Sequence, residues 1–233
     1  MSAPFVSAVI VAAGSGSRFG QDKLSCELMG KSVLRRSIEV FERADCISEI
    51  IVVTRAESVE EVSGLVSQWG LPKLTAVVAG GETRQQSVLC GLAYVSPECE
   101  LIAVHDAARP LIREEEIAAV VAAVGEFDGA VLCVPVKDTI KEGSASGVIK
   151  RTPNRQELYA AQTPQAFKIT RYRSACQRML EKSAPVTDDS SLMELYGARI
   201  TTVIGSYDNL KITTPEDLLL ARAILEEREN KVK

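Results

Sequence analysis

One histidine, His105, stands in 233 residues. A single imidazole rules out a histidine-rich zinc site and any relay that passes a proton between histidines, and a structural place is expected for it. Cys-x-x-Cys pairs are also missing. The six cysteines, Cys26, Cys46, Cys90, Cys99, Cys133 and Cys176, are scattered, several of them inside apolar patterns, so they read as reduced core thiols and not as a disulfide framework. No apolar run reaches the ~18 residues of a membrane span, and the N-terminus enters a strand without a charged region and cleavage site. The net charge is 27 minus 31, or -4, and no basic stretch is long enough to follow a nucleic-acid backbone. The expectation is a cytoplasmic protein with neither nucleic-acid nor membrane partners, whose recognition of phosphate is local. Internal repeats and long linkers are absent too, and 46% hydrophobic residues over this length support one domain spanning residues 1–233.

Against these absences stands one informative run, Val9 to Lys23. An apolar strand leads into Ala12, Ala13, Gly14, Ser15, Gly16, Ser17 and Arg18, with Lys23 five positions later. Small residues after a strand let backbone N–H groups approach anionic oxygens, and two cations add charge that the amides alone do not supply. Two familiar phosphate loops fail on spacing. A dinucleotide fingerprint requires glycine where Phe19 stands, and a P-loop ending in Gly30, Lys31 and Ser32 requires glycine where Ser25 stands. A different nucleotide loop remains, alongside the plainer reading of an ordinary strand-to-helix turn.

Short β-rich runs alternate with helical patterns, which predicts an α/β fold, a Rossmann-like doubly wound and mostly parallel sheet. The expected strands cover 6–12, 49–54, 74–79, 101–105 and 130–134, and the helices between them lie near 32–44, 59–69, 84–94 and 114–124. After Pro135 the rhythm breaks. Residues 136–140 and 148–152 alternate apolar and charged around a Gly143 to Gly147 tip, predicting a β-hairpin arm over about 136–155 that projects from the domain and engages a second copy. The chain then returns through 157–163, two helical segments, a strand at 199–204 and a last helix. Thr214 is its N-cap, followed by Pro215, Glu216 and Asp217.

Ligands of an open α/β sheet bind beyond the carboxyl ends of its strands. Three such ends carry chemistry: the Gly14 loop; Gly80, Gly81, Glu82, Thr83 and Arg84 with Ser87 one turn on; and His105, Asp106, Ala107, Ala108, Arg109 and Pro110. Asp106 beside a phosphate loop suits Mg²⁺, which takes one or two carboxylates plus substrate phosphates, although a turn aspartate is the plainer alternative. Further along come Arg155, the Gln162 to Gln165 segment, Thr187 with Asp188, and Asp208 to Thr213. Lys211 sits there in an apolar alternation, where a strand lysine ordinarily faces solvent.

These elements, taken together and in order over nearly the whole chain, resemble the sugar-phosphate cytidylyltransferases, most closely the 2-C-methyl-D-erythritol 4-phosphate cytidylyltransferase family of non-mevalonate isoprenoid biosynthesis. One departure is visible. The family lysine usually follows proline and precedes Gln-Tyr or Gln-Phe, whereas Lys23 follows Asp22 and precedes Leu24 and Ser25. The resemblance implies a Mg²⁺-dependent transfer of CMP from CTP to methylerythritol phosphate, with CTP held by residues 12–17 and its base read near Gly80, Gly81, Glu82, Ser87 and Ala107. Arg18, Lys23, Arg155 and Lys211 would be the catalytic cations. Asp106 would hold the metal, and with Arg109, Thr139, Thr163 and Thr187 would bind the sugar phosphate. The arm would carry Arg155 into a partner's site.

The chemistry suits so few histidines, because a phosphate monoester with a second pKa near ~6 reaches neutral pH largely dianionic and requires no general base. Two other readings stay open: a ribitol-5-phosphate cytidylyltransferase on the same scaffold, and a catalytically silent nucleotide-binding regulator.

Overall fold

The computed structural model describes residues 3–14, 23–182 and 186–232. In chain order the elements are β1 (Val6–Val11), β2 (Glu27–Leu28), β3 (Lys31–Ser32), α1 (Val33–Arg43), β4 (Glu49–Thr54), α2 (Val59–Ser67), β5 (Leu74–Ala79), α3 (Arg84–Leu92), β6 (Leu101–Asp106), α4 (Glu114–Val124), β7 (Gly129–Pro135), β8 (Glu142–Gly143), β9 (Ile149–Arg151), β10 (Tyr159–Lys168), α5 (Ile169–Lys182), α6 (Asp189–Leu195), β11 (Ile200–Ile204) and α7 (Pro215–Val232). Seven strands form one sheet in the order β11-β7-β10-β6-β1-β4-β5. Every neighbouring pair is parallel except those made by β10, which runs antiparallel to both β6 and β7.

The continuous apolar runs of the central strands have a physical cause, since both faces of the sheet are covered. Alternate side chains of β1 enter different cores. Val6, Ala8 and Ile10 pack with Ile38, Phe41 and Val120 on one face. Val9 joins Val53, Val88, Val104 and Phe167 on the other. Helices start where their caps dictate: Ser32 Oγ accepts the Arg35 N–H at 3.2 Å ahead of α1, and Thr83 makes a reciprocal capping box with Gln86 ahead of α3. No helix among the described residues is long and apolar enough to cross a membrane, and no disulfide is present among them.

Three expectations are corrected. The arm is a hairpin, but its ladder is confined to β8 and β9, with Glu142 opposite Arg151 and Gly143 opposite Ile149. Residues 137–141 form no strand, because the Val136 N–H is drawn to Leu158 O at 3.0 Å, prolonging the β7–β10 pairing. The returning segment is a ten-residue strand inserted between β6 and β7, longer than 157–163. The Lys211 segment is not a strand at all; it crosses the end of the sheet, anchored by the Ile212 N–H on Ala108 O at 2.8 Å.

From Pro135 to Ala161 every residue is exposed or half-buried. The arm therefore holds no core of its own, as its composition predicts.

Candidate active site

β1 lies between β4 and β6, and the chain, having wound outward through β4 and β5, returns to β6 on the other side of β1. This switch point opens a crevice beyond the carboxyl ends of the strands. Each loop is fixed by continuing the sheet's own pairing one residue further. The Ala12 N–H donates to Val53 O at 2.7 Å, the Gly80 N–H to Thr54 O at 2.7 Å, and the Ala107 N–H to Val11 O at 3.0 Å. Gly80 has a steric reason to be glycine: a Cβ there would lie 2.7 Å from both Ala13 Cβ and Ser87 Oγ. The first loop and the start of α3 thus meet at contact distance. Ser87 Oγ locks that junction, accepting the Gly81 N–H at 3.2 Å and donating to Thr83 O at 2.9 Å.

The crevice encloses a cavity of about 330 Å³. Its walls bring together many of the residues expected from the sequence: Ala12, Ala13, Gly14 and Lys23 from the first loop, Gly81, Glu82 and Ser87 from the third strand end, and Asp106 and Lys211 at its floor. Gly80 and Ala107 hold the loops from behind. Ser15, Gly16, Ser17 and Arg18 lie outside the described residues.

Asp106 is the electrostatic centre. Its Oδ1 accepts from Arg84 Nε at 3.0 Å and its Oδ2 from Lys211 Nζ at 2.7 Å. Burial alone would raise its pKa, but the Arg84 and Lys211 charges overcome that and hold the carboxyl well below its ordinary value. The sequence places Arg84 at a strand end that carries chemistry but assigns it no role of its own. A cation at the first position of a helix faces the positive end of the helix dipole and is unfavourable without an anionic partner, and that was the available signal. Arg84 has two such partners, since its Nη1 also reaches Asp189 Oδ2 at 2.7 Å.

Behind Asp106, β10 bulges. From Ala161 to Gln165 it advances four residues while β7, from Cys133 to Val131, advances two. The bulge turns Thr163 toward β6, where its Oγ1 accepts the Asp106 N–H at 3.0 Å and lies 3.0 Å from His105 Nδ1. His105 Nε2 faces Arg109 O at 3.2 Å. A carbonyl only accepts, so Nε2 carries the proton and Nδ1 receives the Thr163 hydroxyl. Burial pushes the His105 pKa down to about 3, which keeps the ring neutral and structural, as expected.

Arg109 is tied down through Nη1 to Asn209 O at 2.8 Å, and its buried Nε has no hydrogen-bond partner among the described residues. Thr187 is exposed at the start of α6, its N–H donated to Ser191 Oγ at 3.1 Å. Thr139 and Arg155 do not line this cavity. Both are exposed on the arm, where Arg155 Nη1 donates to Lys137 O at 2.8 Å.

Among the described residues no group of three or more histidine, cysteine, aspartate and glutamate side chains is assembled for a metal. The cavity offers Glu82 and Asp106, and each Asp106 oxygen retains a lone pair beyond its one charged donor. That set fits a hard cation drawing most of its ligands from phosphate and water, and does not fit a protein-only cage.

A cleft at the switch point of a doubly wound sheet, walled by small residues and floored by lysine, arginine and aspartate, defines a protein of the nucleotidyltransferase class. Comparison with known proteins narrows this. The family model for 2-C-methyl-D-erythritol 4-phosphate cytidylyltransferase matches residues 6–227, and the chain belongs to that family. A relative of that name from Halalkalibacterium halodurans is 43% identical over 227 residues, covering 97% of this chain and 99% of the relative. Another from Alkaliphilus oremlandii is 40% identical over 225 residues, covering 95% of each. Among solved structures, the 4-diphosphocytidyl-2C-methyl-D-erythritol synthase of Anaerococcus prevotii superposes with a TM-score of 0.88 at 32% identity, covering 97% of this chain and all of that one.

Proposed function

We propose that this protein transfers CMP from CTP to 2-C-methyl-D-erythritol 4-phosphate, releasing pyrophosphate and 4-diphosphocytidyl-2-C-methyl-D-erythritol. The observation that carries the reading is the convergence of Lys23, Arg84, Lys211 and Asp106 on one cavity of nucleotide size in a chain of this family. The dianionic phosphate of the sugar attacks the α-phosphorus of CTP in line. An oxygen–phosphorus bond forms, the bond to the β-phosphate oxygen breaks, and the electron pair leaves on pyrophosphate. No residue has to remove a proton, in keeping with a neutral His105 buried under the floor. Catalysis is then orientation plus opposition of charge, with Lys23 and Arg18 on the nucleotide phosphates and Lys211 on the acceptor phosphate.

The base lies against Gly80, Gly81, Glu82 and Ser87, and Ala107 fixes the adjoining loop. Asp106 and the nucleotide phosphates hold Mg²⁺, which when bound neutralises charge on the triphosphate. Thr163, Arg109 and Thr187 frame the acceptor side. Thr139 and Arg155, set apart from the cavity of their own chain, act in the site of a second copy, so the working unit is a homodimer joined through the arms. A cytoplasmic location accords with thiols left unbridged. The test is turnover followed by ³¹P resonances with CTP, Mg²⁺ and either methylerythritol phosphate or ribitol 5-phosphate. Product with the first and none with the second is expected; turnover confined to ribitol phosphate, or none with either, refutes the assignment.

A further inference from the structure

Arg84 stands between two carboxylates that belong to different parts of the fold. Its Nε holds Asp106 at the end of β6, and its Nη1 holds Asp189 in the first turn of α6. Asp106 grips Lys211 with its other oxygen. Asp189 accepts the Tyr172 hydroxyl at 2.6 Å with its other oxygen, and that hydroxyl comes from the buried face of α5. An unbroken series of hydrogen bonds thus runs from Tyr172 through Asp189, Arg84 and Asp106 to Lys211. The side chains of Asp189 and Asp106 are only 3% and 11% exposed, so neither charge is satisfied by water. Two carboxylates and two cations balance.

The geometry points to Arg84 and Asp189 as a positioning pair for the acceptor phosphate, and this rests on the cytidylyltransferase reading above. Thr187, two residues before Asp189, and Lys211, on the far side of Asp106, are the two acceptor contacts whose separation the Arg84 fork sets. The fork also divides the charge of Asp106. With one oxygen engaged by Arg84, the carboxylate holds Lys211 less strongly, and the ammonium can pass to an incoming phosphate. A lysine at position 84 keeps the charge but presents a single point donor that cannot span both carboxylates. An asparagine at position 189 frees the fork to close on both oxygens of Asp106 and displace Lys211.

The experiment is steady-state kinetics on the full-length wild type, Asp189→Asn, Arg84→Lys and the double variant, varying CTP and methylerythritol phosphate separately, with thermal melts on each. Asp189→Asn keeps the shape of the side chain and an oxygen for Tyr172, so it is the variant expected to retain the wild-type melt. Each single change is expected to lower kcat/KM for methylerythritol phosphate by more than about tenfold while KM for CTP stays within about threefold. The double variant should be no worse than the poorer single one, because Asp189 acts through Arg84. Addition of guanidinium at millimolar concentration to Arg84→Ala should restore part of the rate, and urea should not. Unchanged kcat/KM for the sugar phosphate in Asp189→Asn, a loss confined to CTP, or losses that multiply in the double variant would overturn the assignment. Wild-type turnover measured alongside separates that failure from failure of cytidylyl transfer itself.

Discussion

If the arm works in a neighbouring site, two inactive proteins should repair each other. The cavity of one chain contains Lys211, while Arg155 lies on the exposed arm and contributes nothing to that cavity. In a dimer with exchanged arms each site therefore takes Lys211 from one subunit and Arg155 from the other. Arg155→Ala and Lys211→Ala homodimers have two defective sites each. In a heterodimer one site collects both substitutions and the other neither. Random subunit exchange makes about half the dimers heterodimers, with one good site of two, so a 1:1 mixture should recover roughly a quarter of wild-type activity. The yield should follow the product of the two subunit fractions and peak at equal mixing. Pyrophosphate release gives the rate, and native mass spectrometry of the exchanged mixture gives the heterodimer fraction. If Arg155 instead serves its own chain, every site of the heterodimer has one defect. Activity would then stay at the level of the single variants however complete the exchange, and that result would refute the exchanged-arm arrangement.

Lys23→Ala should lower kcat/KM by about 10²–10³ with an unchanged melt, since removing one preorganised charge opposite a developing anion costs about 3 kcal/mol of transition-state stabilisation. Asp106→Asn should weaken the Mg²⁺ dependence of the rate and flatten the acid side of the stability curve. The folded carboxyl titrates below its ordinary value of 3.8, so its contribution is present above about pH 4 and lost as the pH falls further; urea melts of both proteins at about pH 5 and pH 3 measure the difference. Gly80→Ala should raise KM for CTP while the protein stays folded, because the added Cβ meets Ala13 and Ser87 at 2.7 Å; an unchanged KM would mean that the junction yields freely. The resonance of the sole imidazole should stay flat from about pH 8 to about pH 5, and the buried neutral ring should make folding stability fall as pH drops below 6.5 toward about 3; a midpoint near 6.5 would contradict the burial of His105.

The parallel strands were legible because each is a short apolar run closed by a turn signal, and β4, β5 and α4 fall on their expected bounds. β10 was harder to read. Its polar Gln162, Thr163 and Gln165 are buried with hydrogen bonds to the side chains of Asn209, His105 and Asp188, all distant in sequence, so no local apolar period marks them. Lys211 shows the same limit. Alternation with Leu210 and Ile212 suggested a strand, but the segment is held by Asn209, whose side-chain amide donates to Gln162 Oε1 at 2.9 Å and to Thr163 O at 3.1 Å. A motif reading finds residues that meet a ligand, because the chemistry selects their type. It passes over residues such as Asp189 that meet only other protein groups, since an aspartate in the first turn of a helix already has a sufficient local reason to be there.

The paired carboxylates account for how such a cleft stands before a polyanion enters it. Arg84, Arg109 and Lys211 surround Asp106, and two unit charges about 4 Å apart repel by about 4 kcal/mol in a partly screened protein environment. Without Asp106 and Asp189 that repulsion would push the cations toward water and spread the site. With them Arg84 and Lys211 are fixed at hydrogen-bond distance from a carboxylate, and Arg109 is tied separately to Asn209 O, so these side chains are ordered before binding. On the proposed reading, an arriving phosphate would exchange one anionic partner of Lys211 for another and would not have to assemble the site. This trade works only if the internal partner is strong enough to hold the lysine and weak enough to release it. A carboxylate already shared with Arg84 meets both conditions, which an aspartate devoted to Lys211 alone would not.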